Sequence, residues 1–153
     1  MRLYRLTNQE RAGSGFTHQF VIEGSELTAD NVAQTVDLIT ISESSFIDDN
    51  FLVRVDEAIA GPAANVGLEV GVTGDPNYRV LSSEVKTSIA AGTLYTTLAD
   101  DSARGCGDVT ASNTYTATFT SSSGKLNVTT NTGKVSIFMR ILGNSELGSL
   151  TQA

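Results

Sequence analysis

VGLEVGVTGDPNYRVL, running from Val66 to Leu81, holds three glycines, a Gly-Asp-Pro-Asn turn signal and a row of valines. Its first half alternates strictly. Val66, Leu68, Val70 and Val72 fall on one face, and Gly67, Glu69, Gly71 and Thr73 on the other. A period of two marks a half-buried strand. The glycines then stand at outward positions, where another backbone or side chain can come close. A dinucleotide loop needs G-x-G-x-x-G between a strand and a helix. Here Gly67, Gly71 and Gly74 lie within the strand and at a different spacing, so phosphate binding is not expected. Gly74 to Asn77 carries β-turn residues, with Pro76 presetting the backbone angle. Asp75 and Asn77 alone are too few oxygens for a calcium loop.

The same alternation recurs along the chain. Phe51, Val53 and Val55 share a face, as do Tyr115, Ala117 and Phe119, and then Val135, Ile137, Met139 and Ile141. Shorter strand signals start at His18, Thr35, Tyr78, Thr93 and Lys125. The polar stretch Ser42 to Asn50 reads as a turn, and Ala99 to Asn113 as a long loop. Ser25 to Gln34 has room for one helical turn. The best helix candidate is Ser82 to Gly92, with a serine cap and a glycine stop. Strands separated by turns at about ten-residue intervals predict an all-β fold. The expectation is a single β-sandwich or jelly-roll-like domain of about eight strands, with one short helix and flexible tails. Residues 1–17 form an N-terminal arm, 18–142 the sandwich and 143–153 a C-terminal tail.

Composition agrees with that class. The chain has 153 residues, the size of one domain, with 40% hydrophobic and only 18% charged residues. Thr, Ser, Asn and Gly make up the difference, as exposed strand positions and turns require. The formal net charge of −7 repels nucleic acid and anionic membrane. The arm departs from this, with Arg2, Arg5 and Arg11 against Glu10. A basic arm on an acidic body suits docking onto an acidic partner. Cys106 is the sole cysteine, so no internal disulfide is possible. The N-terminus MRLYRLTNQER has no apolar core, so no secretory signal is expected. No apolar run approaches a membrane span.

Catalytic signals are weak. His18 is the sole histidine, so any Ser-His-Asp or Cys-His arrangement would have to use it. It stands on an apolar strand, where packing is the plainer account. Cys106 lies between two glycines near Arg104, which would lower its pKa, but it has no base of its own. One Cys and one His cannot build a structural zinc site. The pairs Asp48-Asp49 and Asp100-Asp101 invite a glycosidase reading, yet both sit in turn-like segments and the chain has no Trp. The sequon at Asn127 matters only in a eukaryotic secretory setting. No enzyme activity, cofactor or metal is expected.

Three blocks carry a resemblance: SELTADNVAQTVDLITI, then FLVRVDEAIAGPAANVGLEVGVTGDPNYRVLSSEVKTS, then TYTATFTSSSGKLNVTTNTGKVSIFMRIL. Over roughly residues 20–142 the chain resembles small β-rich virion proteins of tailed bacteriophages. There a VGVTGD-P segment precedes a short strand, and a Thr-rich hairpin leads into a final G-x-V-x-I strand. The resemblance implies a capsid decoration or cement protein on the virion surface. It would be a homotrimer bound to the major capsid protein, without catalytic residues and without nucleic-acid or membrane partners. Arg2, Arg5 and Arg11 would make arm contacts, and Gly67 and Gly71 would admit another element. The alternative is a carbohydrate-binding or adhesin module of a tail or surface. Its mark would be an exposed aromatic cluster near acidic loops, such as Tyr78 or Tyr95 with Asp75 or Asp100.

Overall fold

A computed structural model describes residues 1–41, 45–61, 65–86, 89–96, 107–108, 112–126 and 132–143. In chain order these form β1 (Arg2–Arg5), α1 (Asn8–Ser14), β2 (His18–Glu23), a 3-10 turn (Gly24–Glu26), β3 (Ala33–Ile41), β4 (Ser45–Ala60), β5 (Val66–Val72), β6 (Asp75–Glu84), β7 (Leu94–Thr96), β8 (Gly107–Asp108), β9 (Asn113–Ser121) and β10 (Thr132–Gly143). The strands make two antiparallel sheets that pack as a sandwich and do not close into a barrel. Sheet A has the order β1-β2-β10-β4-β7, with β8 also on β4, and sheet B has the order β3-β9-β5-β6.

Leave out edge strand β1 and the two-residue β8. The other eight strands then run first–eighth–third–sixth in sheet A and second–seventh–fourth–fifth in sheet B. That is the wrapping of a jelly roll, in which consecutive strands repeatedly cross between sheets. It sets residues near opposite ends of the chain side by side. Ile137 of β10 pairs with Phe20 of β2 and Val53 of β4.

The alternating faces point as their spacing requires. Phe51, Val53, Val55, Val135, Ile137 and Met139 from sheet A are wholly buried, as are Leu68, Val70, Ala117 and Phe119 from sheet B. Each large apolar side chain so removed from water contributes about 1.5–3 kcal/mol. Phe51 stacks on Tyr115 with ring centroids 6.0 Å apart, joining β4 to β9 across the sandwich.

Four local readings change. Ser45 to Asn50, expected as a turn, extends β4, because β10 continues to Gly143 and pairs Ile141 with Ile47. Ile47 goes into the core, and a register shift between Met139 and Ile141 absorbs the irregularity. The expected helix at Ser82 to Gly92 is absent from its described residues. Ser83 and Glu84 pair with Leu68 and Gly67 in β6, and Lys86 forms a bridge to Ile59. β-branched Val85 is wholly buried there, a placement that an extended chain achieves. Among the described residues the α-helix is α1, in the arm expected to be a flexible tail. Its capping box joins Thr7 to Glu10, with both reciprocal hydrogen bonds made. Last, the β5–β6 turn is Thr73-Gly74, two residues earlier than expected, with Val72 opposite Asp75. Gly74 takes φ +92, and Pro76 sits in edge strand β6, where its missing N–H costs no ladder bond. Beyond these, Leu126 is a buried bend whose N–H donates to Asn31 O. The remainder of the strand expected at Lys125 to Thr130 lies outside the described residues.

Candidate functional site

The outer faces of the two sheets differ in chemistry. On sheet B, Thr35 meets Thr118 and Thr40 meets Thr114 through their hydroxyls, with Asp37 exposed nearby. Small polar groups of this kind make an ordinary solvated sheet surface. A depression of about 280 Å³ there is bordered by Asp37, Thr116, Thr118 and Pro76.

On sheet A the register aligns two outward rows. One is Arg2, Val21, Ser136 and Arg54; the next is Tyr4, Gln19, Phe138 and Leu52. Long side chains stand on the flanking strands β1 and β4, and short Val21 and Ser136 lie between them. The result is a trough of about 360 Å³. Its floor is a chain of side-chain hydrogen bonds across three strands. Gln19 Nε2 donates to Ser136 Oγ at 3.0 Å, and Ser136 Oγ donates to Asp56 Oδ2 at 2.5 Å. Arg54 Nε donates to Asp56 Oδ1 at 2.5 Å, and its guanidinium lies 5.1 Å from the centre of the Phe138 ring. Arg2 pairs with Glu23 at 3.1 Å. Tyr4 is 45% exposed at the rim.

The arm residues separate into two places. Arg2 belongs to the trough. Arg5 and Arg11 lie nearer His18, where both add like charge to its ring. Arg11 Nε donates to Leu6 O at 2.8 Å. Helix α1, which carries Arg11, buries none of its residues. Glu10 is held below the usual carboxylate range by the Thr7 hydroxyl and then the Thr7 N–H.

His18 points inward and is 2% exposed. Its Nδ1 meets Thr17 Oγ1 at 2.8 Å, and its Nε2 has no hydrogen-bond partner among the described residues. Burial, then Arg5 and Arg11, push its pKa down to about 4. The ring is therefore neutral at pH 7 and shielded from solvent. Asp48 lies across the sheet next to Arg140 at 3.4 Å. Cys106, Arg104, Asp100, Asp101 and the Asn127 sequon lie outside the described residues. Among the described residues no three His, Cys, Asp or Glu side chains gather as a metal site.

The close approaches foreseen at Gly67 and Gly71 are made by the chain's own β6. A Cβ at Gly71 would collide with the backbone of Asp75 and Pro76, and one at Gly67 would meet Ser82 Oγ at 2.5 Å. Tyr78 lies under Arg79, with the guanidinium 4.7 Å from its ring centre. Tyr95 donates its hydroxyl to Glu84 O at 2.6 Å, and burial raises its pKa. These two tyrosines are therefore engaged within the fold, whereas Tyr4, whose hydroxyl meets Arg2, keeps its ring exposed. Of the trough residues only Arg2 stood out in the sequence. Tyr4, Gln19, Arg54 and Lys134 carried one usable signal: outward strand positions holding Tyr, Gln, Arg and Lys where Thr would serve.

Compared with known protein families, with curated proteins and with solved structures, the chain matches none.

Proposed function

We propose that this chain is a structural protein of a phage virion, a decoration or cement protein that binds the assembled head shell. The observation that carries this reading is α1. A seven-residue helix that is capped at its start yet buries none of its residues gains little from its own fold. It presents Arg11, with Arg5 exposed on the adjoining strand, from a body of net charge −7. Such a basic projection suits an acidic partner surface, here the major capsid protein. The resemblance of residues 20–142 to small virion proteins supplies the class. The jelly roll hosts viral capsid domains as well as lectins and other functions, so the fold alone does not choose.

The mechanism is cohesion. A protein that binds the assembled shell and not its free subunits stabilises the shell by mass action, and a trimer adds avidity. Light scattering during size exclusion tests the assembly state. The expected mass is three times the 16.1 kDa of the chain. In sedimentation, the chain should pellet with preformed shells of the virus that encodes it. Arg5→Glu with Arg11→Glu should weaken that binding at least tenfold, on the order of 1.4 kcal/mol. A monomer at every concentration that stays in the supernatant would end this reading.

A further inference from the structure

We infer that the trough on the outer face of sheet A is a binding site for a carboxylated saccharide, a function separate from shell cohesion and on a different surface from α1. The first argument is rigidity. The Gln19–Ser136–Asp56–Arg54 chain ties β2 to β10 to β4, and Ser136, at its centre, is 0% exposed. Ser136 lies beneath the outward side chains that it ties together. Here they are fixed before any ligand arrives, which lowers the ordering cost of binding.

The second argument is unused bonding capacity. Arg54 spends only Nε on Asp56, so both Nη groups carry no hydrogen bond to the described residues. Gln19 spends only its amide nitrogen, leaving Oε1 as an acceptor. Lys134 is exposed at the trough's edge with no ion pair among the described residues. Arg2, Arg54 and Lys134 outnumber Glu23 and Asp56 around the trough, on a chain whose net charge is negative. Glu57 stands opposite Lys134 in register, so the group that selects an anion is Arg54 itself and not a net positive field. Arg54's free edge matches a carboxylate in two-point contact.

The third argument is shape. The trough lies over the middle of sheet A, where β2 and β10 have strands on both sides. A peptide that binds by adding a strand needs a free edge. Recognition here must come from side chains and a ring face. Tyr4 offers that face to the C–H side of a sugar ring, while Gln19 Oε1 and Glu23 can accept hydroxyl protons. At about 360 Å³ the trough lies at the small end of ligand clefts, the scale of a short saccharide.

The test is titration calorimetry of the whole chain with glucuronate-, galacturonate- and sialate-containing oligosaccharides, beside the neutral N-acetylglucosamine tetrasaccharide and hexaglutamate. At least one acidic saccharide should bind saturably, at least tenfold tighter than the neutral one and than hexaglutamate. Tyr4→Ala, Arg54→Lys and the surface change Lys134→Ala should each weaken it at least fivefold, with thermal melts showing all three folded. Asp37→Asn on sheet B should leave it unchanged. Arg54→Lys separates two-point recognition from charge alone. No binding by any acidic saccharide, equal binding of the neutral one or of hexaglutamate, or indifference to both Tyr4→Ala and Lys134→Ala overturns the proposal. None of these outcomes depends on whether the chain binds shells.

Discussion

His18, the sole histidine, is buried in the seam between β2 and β10. Strand β2 turns its ring inward, between Arg5 of β1 and Met139 of β10 in register. Thr17 Oγ1, which meets Nδ1, also accepts a hydrogen bond from Ile141 N at 2.9 Å. The ring is thus part of the seam between β2 and β10. Protonating it would place a charge in the core beside Arg5 and Arg11. Its pKa is about 4 in the fold, against 6.5 in an exposed chain. Between those values the unfolded chain binds more protons, so stability falls as pH drops below 6.5, and the loss is complete below about 4. A shift of this size corresponds to about 3 kcal/mol. His18→Gln should remove that slope while keeping a polar group of similar reach. The loss of unfolding free energy between pH 7 and pH 4, read from urea curves, should be smaller in the variant by about that amount. Carboxylates titrate in both proteins, so parallel curves would mean that His18 carries no acid sensitivity.

At the scale of elements, the β5–β6 hairpin is the stretch whose reading decided the fold, and its glycines now separate by role. At Gly71 the chain doubles back so tightly that Asp75 and Pro76 occupy the space of a side chain, and only backbone stands in the way. At Gly67 the obstacle is the hydroxyl of Ser82, an exposed side chain that can rotate. Gly71→Ala should therefore cost about 2–4 kcal/mol, as a forced backbone shift does, while Gly67→Ala should stay within about 1 kcal/mol. Chemical denaturation of the two variants measures this, and equal losses would show that β6 adapts as easily as a side chain. The glycine spacing made a close approach legible, but its partner was not, because that depended on the turn falling at Thr73-Gly74. Strands with clean alternation, such as Phe51 to Val55 and Val135 to Ile141, were readable because one face is wholly buried. Ser45 to Asn50 was not, since its pairing comes from the far end of β10. The helix at Asn8–Ser14 did carry a signal, the T-x-x-E box at Thr7 and Glu10. The stronger-looking serines at 82 and 83 belonged to a strand.

For the whole molecule, the jelly-roll wrapping explains both the cohesion of the fold and the invisibility of its candidate site in the sequence. Gln19 and Ser136 are 117 residues apart in sequence and hydrogen-bonded in space. The trough exists only once β1, β2, β10 and β4 lie side by side. Charge and alternation are local properties; strand order is not. The same long-range wiring means that neither sheet can form from neighbouring strands alone. Sheet A needs β10 to join β2 to β4, and sheet B needs β9 to join β3 to β5. Both faces share one apolar core, bridged by Phe51 on Tyr115. Ile59 N donates to Val85 O at 2.8 Å and Lys86 Nζ to Gly61 O at 2.5 Å, fastening the end of β4 to the chain leaving β6. Unfolding in urea should then be a single transition. Far-UV dichroism, which reports strands, and near-UV tyrosine dichroism, to which Tyr115 between the sheets contributes, should coincide. Refolding should be slow, on the order of milliseconds to seconds, because distant strands must meet first. Ile137→Ala, in the middle of β10, should lower stability by about 2–5 kcal/mol with both probes shifting together. If the tyrosine signal were lost at lower urea than the strand signal, the sheets would be separable units, and the pre-formed trough on sheet A would outlast the sandwich that now supports it.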